Sequence, residues 1–273
     1  MFFANTAFRS HDYANLGYRL PRPQHNAPSP AKLPRDVCIT VDMEPDCPPY
    51  LSTWRGVTEG APKLIELFAE EEIPVTYFVT GESAERHPEM VEALIGAGHE
   101  LGCHGMTHRN FTKLSRKEAA WEIAASVQRL RDFAPVTSFR APFLRFPSQF
   151  LSLLEDEGIT LDSSVAKYKS DYFAPPLPTR LFRIPVSATS SVLRLPRWIR
   201  DPWLLSLASP VVLFVHPWEF TDLTRERLRF DCRFRTGSPA LLALKSAIRL
   251  FKSRGDCFHR MDALPANATP TLQ

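Results

Sequence analysis

Four short clusters hold the residues best suited to chemistry, and each follows an apolar run. The first is Asp42-Met43-Glu44-Pro45-Asp46, directly after Val37-Cys38-Ile39-Thr40-Val41. Carboxylates crowded at a strand end repel one another unless a cation or proton intervenes; taken alone, a solvated acidic turn is an equal reading. The second is His104-Gly105-Met106-Thr107-His108, whose two imidazoles can turn toward one ion. Zinc-type ions take histidine nitrogen and carboxylate oxygen, and catalytic sites leave one position open. The third, Phe139-Arg140-Ala141-Pro142-Phe143, places an arginine where it can grip a carboxylate or lie free in a turn. In the fourth, Leu213-Phe214-Val215-His216-Pro217-Trp218-Glu219, His216 ends an apolar strand. There Trp218 is a candidate sugar-binding rim and Glu219 a candidate orienting carboxylate.

The elements that position these clusters alternate between strand and helix. Short β-branched runs predict strands at 37–41, 75–79 and 211–215, with further strands at 99–104, 138–142 and 159–164. Between them, Leu64, Ile65, Leu67 and Phe68 recur at helical spacing and Pro74 ends the run. Pro88 opens a second helix, and Ser115 with Glu118 predicts a capping box on a third. Further helices are expected over 147–157 and from Ser238 to Gly255, whereas 165–209 is Pro-rich and reads as irregular apart from a strand near Arg183–Val186. Strand–helix repetition implies a parallel sheet with helices outside, and about seven units suit a barrel. Such barrels display catalytic side chains at the C-terminal ends of their strands, where all four clusters fall.

Composition narrows the function classes. With 33 basic and 30 acidic side chains the formal charge is +3, too balanced for a general nucleic-acid binder. The five cysteines form no C-x-x-C pair, so spacing reveals no thiolate metal site, and free thiols point to a cytoplasmic setting. No apolar run is long enough to span a membrane, and the N-terminus lacks the pattern of a secretory signal. Residues 1–34 end in the run PRPQHNAPSPAKLP and read as an extended arm, 35–265 as the folded domain and 266–273 as a short tail.

Taken in order, the four clusters resemble the polysaccharide deacetylase (NodB-homology) family, carbohydrate esterase family four, from about Asp36 to Glu219. GHELGCHGMTH is the most specific segment, with FRAP and LFVHP in the expected sequence. The resemblance implies an α/β fold, a distorted (β/α)7-type barrel, and hydrolysis of an N-acetyl or related acyl group on a carbohydrate-type substrate. An N-acetylated sugar, oligosaccharide or glycolipid is the implied partner. The family's first motif usually reads T-F-D-D-G, its second Asp binding metal, whereas this chain has Thr40-Val41-Asp42-Met43-Glu44. A thioether is a poor ligand for such cations, and a subset of relatives carries D-x-D or D-x-E. By that analogy Asp42 is the base and Glu44 the metal ligand beside His104 and His108, with Asp46 in reserve. Zn²⁺ is the implied metal, with Co²⁺, Ni²⁺ or Fe²⁺ as alternatives. Arg140 matches the arginine that orients the base, His216 the general acid and Leu213 the leucine of the acetyl-methyl pocket; Phe143 and Trp218 are further candidates for substrate contact. The family's fourth motif, an Asp-Trp pair behind the acid, has no evident counterpart, and Asp162 is the stand-in candidate. Two other readings remain open: a metal-independent amidohydrolase acting on a small cyclic amide or imide, and a non-catalytic glycan-binding barrel.

Overall fold

A computed structural model of the protein describes residues 33–173 and 178–264. The arm expected over 1–34, apart from its last two residues, and the tail expected over 266–273 lie outside the described residues. Among the described residues, eight parallel strands make one sheet: β1 Asp36–Met43, β2 Thr76–Val79, β3 Glu100–Cys103, β4 Ser138–Phe139, β5 Leu161–Asp162, β6 Phe182–Arg183, β7 Val211–Val215 and β8 Cys257–Phe258. Their order is β6-β5-β4-β3-β2-β1-β7, with β8 lying against the start of β1. Beyond β6, Ala188 forms a parallel bridge to Leu213 of β7, which brings the two ends of the sheet together as an irregular barrel. Around it lie α1 Ala61–Glu70, α2 Gly81–Arg86, α3 Pro88–Gly96, α4 Arg116–Arg131, α5 Leu151–Asp156, α6 Ser190–Leu193, α7 Arg197–Ser206, α8 Phe230–Arg233 and α9 Ser238–Ser253.

β1 shows how the sequence positions the site. Its side chains alternate between two faces, as any strand's must. Val37, Ile39, Val41 and Met43 point into the large core beneath the helices, and Cys38 into a separate cluster with Phe78, Val212 and Phe214 inside the barrel. Each buried valine or isoleucine of the outer face contributes roughly 1.5–3 kcal/mol. The same alternation puts Thr40, Asp42 and Glu44 on the inner face. Met43, at the position where the family usually has its metal ligand, is buried on the opposite side of the strand.

The capping box at Ser115 forms as expected: the Ser115 side chain accepts from the Glu118 amide, and Glu118 accepts from the Ser115 amide at 2.9 Å. The irregular reading of 165–209 is corrected, since α6 and α7 lie within it. α7 escapes the usual pattern because large apolar residues stand outward and an arginine lies inward beside the buried Leu204. Trp198, Ile199 and Trp203 face outward, while Arg200 is buried and donates to the Ala243 carbonyl at 2.7 Å. α2, the four-residue α8 and β8 had no expectation. α2 is too short to show periodicity, and β8 is a two-residue strand that only tertiary pairing defines.

Candidate active site

The strand ends bring the first three clusters into direct contact. Arg140 follows β4 and is fully buried, with Nη1 donating to Asp42 Oδ1 at 2.7 Å and to Thr40 Oγ1 at 2.6 Å. Its Nη2 donates to Ser163 Oγ at 2.9 Å, and its guanidinium lies 4.3 Å from the Phe78 ring centroid. A guanidinium held on several sides is a rigid support, so the Asp42 carboxylate is fixed in place.

Glu44, His104 and His108 form a buried group whose ligand atoms all lie within 4.8 Å of one another. Glu44 Oε2 is 2.6 Å from His108 Nε2 and 3.3 Å from His104 Nε2. His104 Nδ1 donates to the Arg140 carbonyl at 2.7 Å, which in a neutral ring leaves Nε2 as an acceptor facing the carboxylate oxygen. Two buried acceptors facing each other need a shared cation or an added proton. The donor set of two imidazoles and one carboxylate fits a zinc-type ion, so the residues present suit the metal the resemblance implies. Burial alone would raise the Glu44 carboxyl, but the charges of His108 and His216 and hydrogen bonds from both neighbouring histidines hold it well below its ordinary value.

The backbone makes this approach possible. Gly105 (φ 78°) and His108 (φ 56°) both take left-handed conformations, and those turns fold the second histidine back over the strand end. Glu122 of α4 secures the loop, accepting from the Met106 and Thr107 amides at 2.8 and 2.9 Å. Ser126 Oγ donates to the Gly105 carbonyl at 2.9 Å. Glu122 was not anticipated, although a signal exists: it interrupts the apolar stripe of Ala119, Ile123 and Val127.

His216 closes the constellation. Its Nε2 lies 3.8 Å from Glu44 Oε1, and its Nδ1 donates to Glu219 Oε1 at 2.8 Å. Arg194 Nε pairs with Glu219 Oε2 at 3.0 Å while Nη1 and Nη2 donate to the Phe234 and Asp231 carbonyls, each at 2.7 Å. Burial disfavours the charged imidazole, yet Glu44, Glu219 and Asp42 together raise its pKa to about 9. Glu219 is therefore the carboxylate behind the histidine, three residues along the same segment. Asp162 does not supply it, because its Oδ2 accepts from Arg183 at 2.9 Å and its Oδ1 from the Ser164 amide at 3.0 Å.

Three further expectations are corrected by the geometry. Leu213 belongs to the outer core, whereas Phe214, in register with His216 on the alternating strand, faces the barrel interior. Phe214 packs edge-on to His216 with centroids 5.3 Å apart, so Phe214, not Leu213, is the side chain of this strand that stands beside His216. Trp218 is not a rim: it is buried, stacks on His216 at 4.8 Å and donates Nε1 to Glu44 Oε1 at 3.2 Å. Asp46 is no reserve ligand either. Its oxygens accept from Thr53 Oγ1 and from the Arg55 and Gly56 amides at 2.6, 2.9 and 2.7 Å, anchoring the turn of helix at Gly56–Gly60. Phe143 does stand at the mouth, 41% exposed and 4.8 Å from the His108 ring. Tyr168, also unanticipated, is partly exposed, and its hydroxyl is raised to about 12 by burial and the nearby Asp42 carboxylate, against the charge of Arg140.

Residues 31–161 match the family model for polysaccharide deacetylases. Over 109 residues the chain is 33% identical to the peptidoglycan deacetylase of Helicobacter pylori, covering 39% of this chain and 37% of that protein. It is 26% identical over 101 residues to a chitooligosaccharide deacetylase of Sinorhizobium fredii, covering 36% of this chain and 47% of the relative. The matched stretch thus spans less than half the length of these curated relatives. The fold is similar to that of a family 4 carbohydrate esterase from Streptomyces lividans, with a TM-score of 0.57 at 16% identity over 82% of this chain and 91% of that one. Sequence match and shared fold point the same way: residues 31–161 match the polysaccharide deacetylase family, and the fold is similar to that of a family 4 carbohydrate esterase.

Proposed function

We propose that the protein is a metal-dependent hydrolase that removes the acetyl group from an N-acetylated sugar unit. The observation that carries this reading is the buried facing of His104 Nε2, His108 Nε2 and Glu44 Oε2, an acceptor-rich pocket directly beside Asp42 and His216. A divalent ion held by Glu44, His104 and His108, zinc by the chemistry of the donors, supplies Lewis acidity toward the acyl carbonyl and makes water a better nucleophile. Asp42, oriented by Arg140, takes the proton from the attacking water. His216 then gives its proton from Nε2 to the departing amine nitrogen, which is otherwise a poor leaving group. Its raised pKa keeps that proton in place at neutral pH. Glu219 holds Nδ1–H and so fixes which nitrogen faces the substrate. Phe214 offers an apolar wall for the acetyl methyl, and Phe143 and Tyr168 at the mouth offer rings for a sugar to lie against.

Peptidoglycan and chitooligosaccharide deacetylases among the relatives make N-acetylglucosamine oligomers the first substrates to try. Acetate release should be measured from N-acetylglucosamine oligomers and peptidoglycan fragments, before and after chelation and after zinc is restored. Release that chelation stops and zinc restores supports the proposal. Release unaffected by exhaustive chelation favours a metal-independent amidohydrolase, and no release with any substrate favours a glycan-binding barrel.

A further inference from the structure

Beside the candidate site, around Trp218, lies a small apolar cluster of Cys47, Trp218, Leu223 and Leu228, with Leu51 and Cys232 packed against it. Cys47, within this cluster, and Cys232, packed against it, are brought together there although the residues stand far apart in sequence. The other three cysteines are placed otherwise: Cys38 lines the barrel interior, Cys103 donates to Ser126 Oγ at 3.3 Å, and Cys257 is exposed on β8.

We propose that Cys47 and Cys232 are a disulfide-forming pair, a covalent clamp between the segment that follows β1 and the short helix α8. The geometry suits an ordered exchange. Cys232 is half-buried and open to attack, whereas Cys47 is buried behind it. The neighbouring Cys47 thiol and the charges of Arg229 and Arg194 hold the Cys232 thiol below its ordinary pKa, against burial and Asp231. The Cys232 thiolate attacks a small-molecule disulfide such as oxidised glutathione, forming a mixed disulfide and releasing one glutathione thiolate. Cys47 loses its proton and attacks the Cys232 sulfur, expelling the second glutathione. Two protein thiols are thereby oxidised, one glutathione disulfide is reduced to two thiols, and both protons leave with the glutathiones.

Both ends of the clamp lead into the site. Cys47 follows Glu44 by three residues, and the Cys232 carbonyl accepts from Arg194, which pairs with Glu219. The bond would tie the metal-ligand segment to the support behind His216 and close a long loop of chain. Closing such a loop should raise the Tm of the oxidised protein by about 5–10 °C.

The test is oxidation of the full chain with oxidised glutathione, followed by alkylation and a non-reducing tryptic map, beside Cys47→Ser and Cys232→Ser. Expected is a linked pair of peptides, 36–55 with 230–233, whose fragmentation places the bond at Cys47 rather than Cys38. The oxidised wild type should melt higher than its reduced form. Cys47→Ser should stop at a stable glutathione adduct on Cys232, and neither variant should gain stability on oxidation. Free Cys47 after exhaustive oxidation, a lasting glutathione adduct on wild-type Cys232, or a bond from Cys38 or Cys257 instead would overturn the proposal. Wild-type oxidised and reduced samples decide the matter even if a serine variant fails to fold.

Discussion

The roles of single side chains here follow from what each one faces. The proposed acid role of His216 rests on Glu44, Glu219 and Asp42, which outweigh the penalty of its burial and raise its pKa to about 9. Replacing His216 by Ala should lower kcat by about 10²–10⁴-fold while metal content stays unchanged. Loss of metal from that variant would make His216 a ligand instead of an acid. Glu219→Gln removes one negative charge beside the ring, so the protonated imidazole loses support and its pKa falls. The alkaline limb of the kcat profile should therefore move to lower pH, with the largest loss of rate on the alkaline side. An unmoved limb would assign that ionisation to another group. That Asp42, Glu44, His104, His108, Arg140 and His216 would meet at one site was legible from their positions after apolar runs taken together with the family resemblance. The orientation of Leu213 and Trp218 was harder to read. Leu213 needed strict alternation counted back from His216, and Trp218 needed the turn that folds it beneath Glu44.

At the scale of elements, the loop between the two histidines is held by a helix, not by its own sequence. Glu122 on α4 binds two amides of that loop and the Thr107 hydroxyl. Glu122→Ala should weaken metal affinity by about 10–100-fold, because outer partners of ligating residues typically carry that much. Isothermal titration of the metal-free variant with zinc would measure it, and an unchanged affinity would mean that the turns at Gly105 and His108 suffice alone. Strands β1 and β7 were legible because both of their faces are buried, which leaves continuous apolar runs. α7 was not, because Trp198, Ile199 and Trp203 stand outward while Arg200 is buried. Patterns taken from amphipathic helices assume the reverse.

Across the whole molecule, the chain ends of the barrel domain are joined by an ion pair far from the site. Arg35, just before β1, pairs with the buried Asp256, just before β8, at 2.7 Å, and also donates to the Leu204 and Leu207 carbonyls at 3.1 and 2.8 Å. Burial would raise the Asp256 carboxyl, but hydrogen bonds from Arg35 and the charges of Arg35 and Arg254 hold it below its ordinary value. A carboxyl depressed in the folded state adds stability that is full above the unfolded value, about 3.9, and is lost as pH falls through the folded one. Asp256→Ala should cost about 3–5 kcal/mol at neutral pH by stranding a buried guanidinium. Its Tm should also depend less on pH below about 4 than that of the wild type. Equal acid sensitivity in the two proteins would place the acid-labile contact elsewhere. The parallel barrel was legible from the strand–helix alternation, but this closure was not, since Arg35 and Asp256 are ordinary charges until the fold brings them together.

The most direct test of the proposed chemistry is the metal content of the purified protein, measured by elemental analysis after zinc reconstitution, wild type beside His104→Ala. Near-stoichiometric metal in the wild type and its loss in the variant are expected from the buried facing of Glu44, His104 and His108. A folded wild type that binds no divalent metal, or a variant that keeps it in full, contradicts the assignment of these three residues as the metal site.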